Sequence, residues 1–169
     1  SSVFHLLAHE LGKSKIPFVL VGGFAFNYYN IRTQITPSVE ILMTKENFEK
    51  ALPLFERAGY QRTIKEQLFA RLTGNESTSF LDIDAVFIDS ATFSEILRDT
   101  NEAEIHGVKL RIPSLHRLFT FKFHLPLPRS LSMDQYVKFV EFCRKYIVNR
   151  ELYEEQRENS VVNVHFVLK

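Results

Sequence analysis

The chain has 169 residues, enough for one domain with a substantial core and too few for two comfortable ones. Hydrophobic residues make up 45% and charged residues 24%, which argues against disorder, and a net charge of +1 argues against a protein built mainly to grip a nucleic-acid backbone. A single cysteine, Cys143, excludes an internal disulfide and leaves no cysteine-based metal cluster.

No apolar run reaches the length of a membrane span, and Ser1-Ser2-Val3-Phe4 does not read as a signal peptide. The expectation is a cytoplasmic protein with no membrane partner. The chain does not begin with Met, so a trimmed targeting segment stays open.

Val3, Phe4, Leu7 and Leu11 recur at helical spacing and predict a first helix, closed by Gly12 and Lys13-Ser14-Lys15. Pro17-Phe18-Val19-Leu20-Val21 is a continuous apolar run, the pattern of a buried strand. Gly22-Gly23 follows, and Phe24 to Tyr29 predicts a short helix directly after the glycines. Val39 to Met43 is a second strand. Thr44 is placed to cap the next helix, with Glu46 in its first turn and Phe48, Leu52 and Phe55 as its apolar stripe.

Ala58-Gly59 ends that helix. Tyr60 to Thr63 and Gln67 to Thr73 predict a strand pair, Gly74-Asn75 a turn, and Ser79 to Ile88 the most β-like stretch of the chain. Ser90 is expected to cap a helix from Ala91 to about Arg98. His106-Gly107 reads as a hairpin tip before a strand from Val108 to Ile112.

Ser114 is expected to cap a helix carrying Leu115, Leu118, Phe119 and Phe123, broken by Pro126 and Pro128. Ser132 and Gln135 form a capping box for a long helix that includes Cys143. Val161 to Lys169 reads as a strand or an ordered tail. The whole is expected to be a single α+β domain over 1–169. A mixed sheet backed by helices forms its core at about 3–112, followed by a helical part at about 113–158.

A strand, two glycines and a helix start are the parts of a phosphate cradle. Glycine admits a ligand close to the backbone, and a helix start offers free N–H groups. Tight turns need glycine as well, so the pair alone does not define a site.

The run Ile16-Pro17-Phe18-Val19-Leu20-Val21-Gly22-Gly23-Phe24-Ala25 resembles the opening motif of the nucleotidyltransferase superfamily, the DNA polymerase β-like fold. Among its members the resemblance is to the abortive-infection-type toxins and the minimal nucleotidyltransferases. Their signature continues with Arg-x-Thr-x-Asp-x-Asp on the next strand and a third Asp from a later one. Those carboxylates hold two divalent ions, and strand residues two apart share a face, which brings both members of Asp-x-Asp to one metal pair.

At the matching place this chain reads Gln34-Ile35-Thr36-Pro37-Ser38-Val39-Glu40. Thr36 matches, but the Arg is Gln34, the first Asp is Ser38 and the second is Glu40. The third carboxylate matches Asp84, with Asp82 on the same strand face as its fallback. Alternation alone would also put those two on a solvated strand face. Lys122 falls where the family carries a lysine near the phosphates, beside His116, Arg117, His124 and Arg129, and Asp134 survives from a later Lys-Asp pair.

The resemblance therefore implies a nucleotidyltransferase-like domain with a degenerate metal motif and lost or reduced activity. On that reading Gly22, Gly23, Ser38 and Lys122 are the candidate nucleotide ligands. Glu40, Asp82 and Asp84 are the candidate catalytic and metal residues, holding Mg2+ if the domain is active. Two alternatives stay open. One is an active enzyme that moves a nucleoside monophosphate from a nucleoside triphosphate to a protein, an RNA or a small molecule. The other is a non-catalytic module that binds a protein partner, its cleft closed by Phe24, Phe26, Tyr28 and Tyr29.

Overall fold

The computed structural model describes residues 2–30, 38–75, 81–115 and 117–118. All of them lie in one compact unit, Ser1–Leu118. The calls at Gln34, Thr36, His116, Lys122, His124, Arg129, Asp134 and Cys143, the helices beyond Leu118 and the segment 161–169 lie outside the described residues.

The first helix starts as α1 (Val3–Leu6) and widens into a π-helical turn over Leu7–Leu11. Val3, Phe4, Leu7 and Leu11 are all buried. The chain leaves the helix by a left-handed residue, Lys15 (φ 53°), while the Ile16 N–H donates back to the Leu11 carbonyl.

Next come β1 (Val19–Val21), α2 (Gly22–Tyr28), β2 (Ser38–Met43), α3 (Lys45–Arg57), β3 (Tyr60–Lys65), β4 (Phe69–Gly74), β5 (Asp82–Phe87), α4 (Ser90–Arg98), β6 (Thr100–Ile105) and β7 (Val108–Pro113). The first five strands form one sheet in the order β1-β2-β5-β4-β3, and β6 pairs with β7 in a separate hairpin. β2 and β5 run parallel; the other neighbours are antiparallel. This is the expected α+β architecture.

Cross-strand register fixes which side chains share a face. One face carries Val39, Ile41 and Met43 beside Ile83, Ala85 and Phe87, with Ala70, Leu72 and Leu20 in the flanking strands. All of these are buried, and α3 covers part of that face through Phe48, whose ring centroid lies 5.0 Å from that of Phe87. Burying large apolar side chains on this scale is worth about 1.5–3 kcal/mol each, which makes this layer the core of the described unit.

Several details differ from the sequence reading: β3 runs on to Lys65 rather than ending at Thr63, and β4 begins at Phe69 rather than Gln67. β1 begins at Val19 rather than Pro17, since a proline has no N–H for the ladder. α2 begins at Gly22 itself, not after the glycines. Ala51 takes the buried place in α3 expected of Leu52. The cap of α4 is Asp89, not Ser90: its carboxylate accepts the Thr92 N–H at 3.0 Å, and Ser90 is already the first helical residue.

Thr44 caps α3 as expected, its hydroxyl accepting the Asn47 N–H at 3.2 Å. His106 and Gly107 form the hairpin tip with φ of 49° and 80°, the left-handed pair that a two-residue turn requires.

Candidate functional site

The other face of the sheet is where charge collects. Ser38 lies opposite Asp82, and Glu40 opposite Asp84, across the parallel β2–β5 pair. The row through Glu40 and Asp84 extends to Val21 on one side and to Arg71 on the other. The alternation of two strands and the order of two neighbours thus bring all four sequence-predicted strand residues to one place. Farther along the same face the row becomes Val19, Leu42, Val86 and Phe69, wholly apolar, so the polar cluster is confined to the Ser38 end.

Asp84 is the centre of the cluster and only 1% exposed. The Arg71 guanidinium grips it with two hydrogen bonds, Nε to Oδ1 at 2.7 Å and Nη2 to Oδ2 at 3.0 Å. The buried Ser38 hydroxyl donates to Oδ2 at 2.8 Å. Both carboxylate oxygens are therefore engaged by protein donors. This planar, two-pronged contact suits a guanidinium and compensates a buried charge that would otherwise be costly. The hydrogen bonds to Asp84 raise the Arg71 pKa further, with Asp82 and Glu40 adding to the effect, so this cation is permanent.

Glu40, half-buried, turns toward the end of β1. Gly22 sits there with φ 72°, a conformation that favours glycine, and a Cβ built on it would lie 2.6 Å from the Glu40 Cδ. The open side of the glycine turn is thus occupied by a carboxylate. Gly23 is buried within α2.

Asp82 is half-buried at the start of β5. Tyr60 hydrogen-bonds from its hydroxyl to the Leu81 carbonyl at 2.6 Å. Burial pushes its phenol pKa up, and the nearby Asp82 charge adds to the shift.

The aromatic residues of α2 are used for attachment. Phe26 is buried, Phe24 packs edge-on against Phe4 at 5.0 Å, and the Tyr29 hydroxyl donates to the Pro113 carbonyl at 2.7 Å. Tyr28 remains 45% exposed.

Arg71 is the residue that sequence reasoning missed. Its signal was faint: one charged side chain inside the otherwise apolar or neutral run Phe69-Ala70-Arg71-Leu72-Thr73. The turn read at Gly74-Asn75 makes β4 and β5 neighbours, but nothing local sets the register that puts Arg71 against Asp84.

A divalent ion of the Mg2+ kind needs several oxygen ligands, most of them charged or free to coordinate. Here Ser38 supplies a hydroxyl already spent on Asp84, and Asp84 itself is held by a cation. Among the described residues no group of three or more His, Cys, Asp or Glu side chains could hold a metal ion. As arranged, these residues do not fit the metal pair that the fold implies.

The far end of the β2–β5 pair differs. There the strands lead into the α3 and α4 caps, and a groove of about 710 Å3 opens between Pro17, Lys45, Leu68, Phe87, Ser94 and Leu97. No described helix is long and apolar enough to cross a membrane.

This fold is that of solved nucleotidyltransferases. The lincosamide antibiotic adenylyltransferase LnuA, solved with lincomycin bound, is similar at a TM-score of 0.58 and 15% identity, over 80% of this chain and 90% of LnuA. The antibiotic-resistance factor ANT(2'')-Ia is similar at 0.62 and 15% identity, over 93% of this chain and 88% of the other. An antigenic nucleotidyltransferase-like protein from Paracoccidioides brasiliensis gives 0.53 at 15%, over 81% and 70%. No protein-family model matches the sequence, and no curated protein does. At such identities the likeness establishes the nucleotidyltransferase fold.

Proposed function

We propose that this nucleotidyltransferase-fold domain has lost metal-dependent nucleotidyl transfer, and that any nucleoside triphosphate it takes binds without Mg2+, at the Gly22-Gly23 turn. The observation that carries this reading is the state of Asp84, buried and with both carboxylate oxygens engaged by protein donors. In-line phosphoryl chemistry on this fold depends on carboxylates that are free to place two ions against the triphosphate. The substitution at Ser38 removes one such ligand, and the pairing of Asp84 removes another. Glu40, Asp82 and Asp84 would be the metal and catalytic set of an active enzyme of this fold; in our reading they are its remnant.

Glu40 favours a second reading. Its carboxylate lies against Gly22, on the approach that a phosphate would use. That placement supports a filled cleft and a domain that works by binding a protein partner.

Calorimetry with ATP, GTP, CTP and UTP, each in Mg2+ and in EDTA, tests the proposal together with an assay for pyrophosphate released when total RNA, total cell protein, lincomycin and tobramycin are offered in turn as acceptors of the nucleotidyl group. Binding that is unchanged by EDTA, with no pyrophosphate, is the expected result. Mg2+-dependent binding with pyrophosphate release would instead identify an active transferase. No binding in either buffer would leave the partner-binding reading in its place.

A further inference from the structure

We infer that Arg71 is a tethered replacement for the divalent ion, a side-chain cation that does within the fold what a bound metal does for such a carboxylate cluster. The inference rests on the reading that metal-dependent transfer is lost, and goes further by naming what took the ion's place.

Three carboxylates on two adjacent strands repel one another, and a buried one cannot stay ionised without a counter-charge. A metalloenzyme leaves that need unmet until an ion binds. Here the need is met from β4. Arg71 sits in the same cross-strand row as Glu40 and Asp84, one strand beyond Asp84, and so projects from the same face of the sheet. Its guanidinium covers both Asp84 oxygens, and its charge interacts with Asp82 and Glu40 as well. A lysine would bring one charge without the second prong, so the fork is specific to arginine.

The Ser38 change completes the exchange. An aspartate there would place a second carboxylate within hydrogen-bond distance of Asp84 and call for more positive charge than one guanidinium carries. A hydroxyl donates to Asp84 instead. Ser38 and Arg71 thus act together: one acceptor has become a donor, and the mobile dication has become a fixed monocation. The site is complete without metal, and a metal would have to displace Arg71 to enter.

Thermal melting of wild type, Arg71→Gln and Arg71→Gln/Asp84→Asn, each with Mn2+ and with EDTA, tests the inference. Wild type is expected to melt at the same temperature in both. Arg71→Gln is expected to melt about 10 °C lower in EDTA and to regain at least half of that in Mn2+, because Asp84, left without its cation, then accepts the ion. The double variant is expected to ignore Mn2+. Should Arg71→Gln not fold in EDTA, the same rescue is read as folded protein recovered on dilution from urea into Mn2+.

A Mn2+-dependent rise in wild type that is lost in Asp84→Asn would overturn the inference, since the ion would then compete successfully with Arg71. Destabilised Arg71→Gln with no response to Mn2+ would overturn it too, leaving an ordinary ion pair. Neither outcome depends on nucleotide, so failure here is distinct from pyrophosphate release in the acceptor assay.

Discussion

The two ends of the β2–β5 pair solve different problems. At the Ser38 end, charged groups are buried and must be compensated from within the protein, by Arg71 and Ser38 acting on Asp84. At the Met43 end, the same two strands run out into helix caps. Thr44 and Asp89 each satisfy one N–H of α3 and α4, beside a groove open to water. One end is a closed account of charge and the other is local hydrogen bonding. Damage should therefore be severe at the first and mild at the second.

The largest expected effect is at Arg71. Arg71→Met leaves Asp84 buried without its cation and should cost about 3–5 kcal/mol in urea unfolding. Arg71→Met/Asp84→Leu, which removes both charges, should recover most of that loss. A double variant no more stable than Arg71→Met would mean that the side chains pack rather than compensate, and the contrast between the two ends would fail.

At the far end the expected losses are smaller. Thr44→Ala removes one cap and should cost about 1 kcal/mol by the same measurement. Asp89→Ala sharpens the contrast through pH. Hydrogen bonds from the Thr92 side chain and backbone hold the Asp89 carboxyl below its ordinary value of 3.8. The folded state thus favours the charged form. Its contribution is present above the ordinary value and is lost as pH falls through the lowered one. The difference in melting temperature between wild type and Asp89→Ala should accordingly be small at neutral pH and vanish in acid. A difference that persists in acid would assign the effect to something other than the charged cap.

Much of this arrangement could be read along the chain. Ser38 and Glu40, like Asp82 and Asp84, are two apart in strand-like runs, so each pair had to share a face. The strand, double glycine and helix at Val19 to Tyr28 announced themselves by composition, and the Thr44 cap by its position before a helical stripe. What could not be read was the register between strands. β4 and β5 are consecutive strands, but no local pattern encodes the register across their connection, and the Arg71–Asp84 pair exists only because of that register. β6 was nearly hidden for another reason. Its sequence Thr-Asn-Glu-Ala-Glu-Ile buries only Ala103 and Ile105, too few apolar positions to stand out before the hairpin tip. The change of cap from Ser90 to Asp89 reflects two competent capping residues in succession, between which the sequence does not choose.

The proposed loss of metal ligands on this nucleotidyltransferase fold rests on how Asp84 is held. The most direct test is Mn2+ binding to the unaltered protein, followed by electron paramagnetic resonance, with Asp84→Asn as the control. The account predicts that wild type and Asp84→Asn leave the same fraction of Mn2+ free, since Asp84 is already held by Arg71 and Ser38. Stoichiometric binding to wild type that disappears in Asp84→Asn would contradict it and restore Glu40, Asp82 and Asp84 as a working metal site.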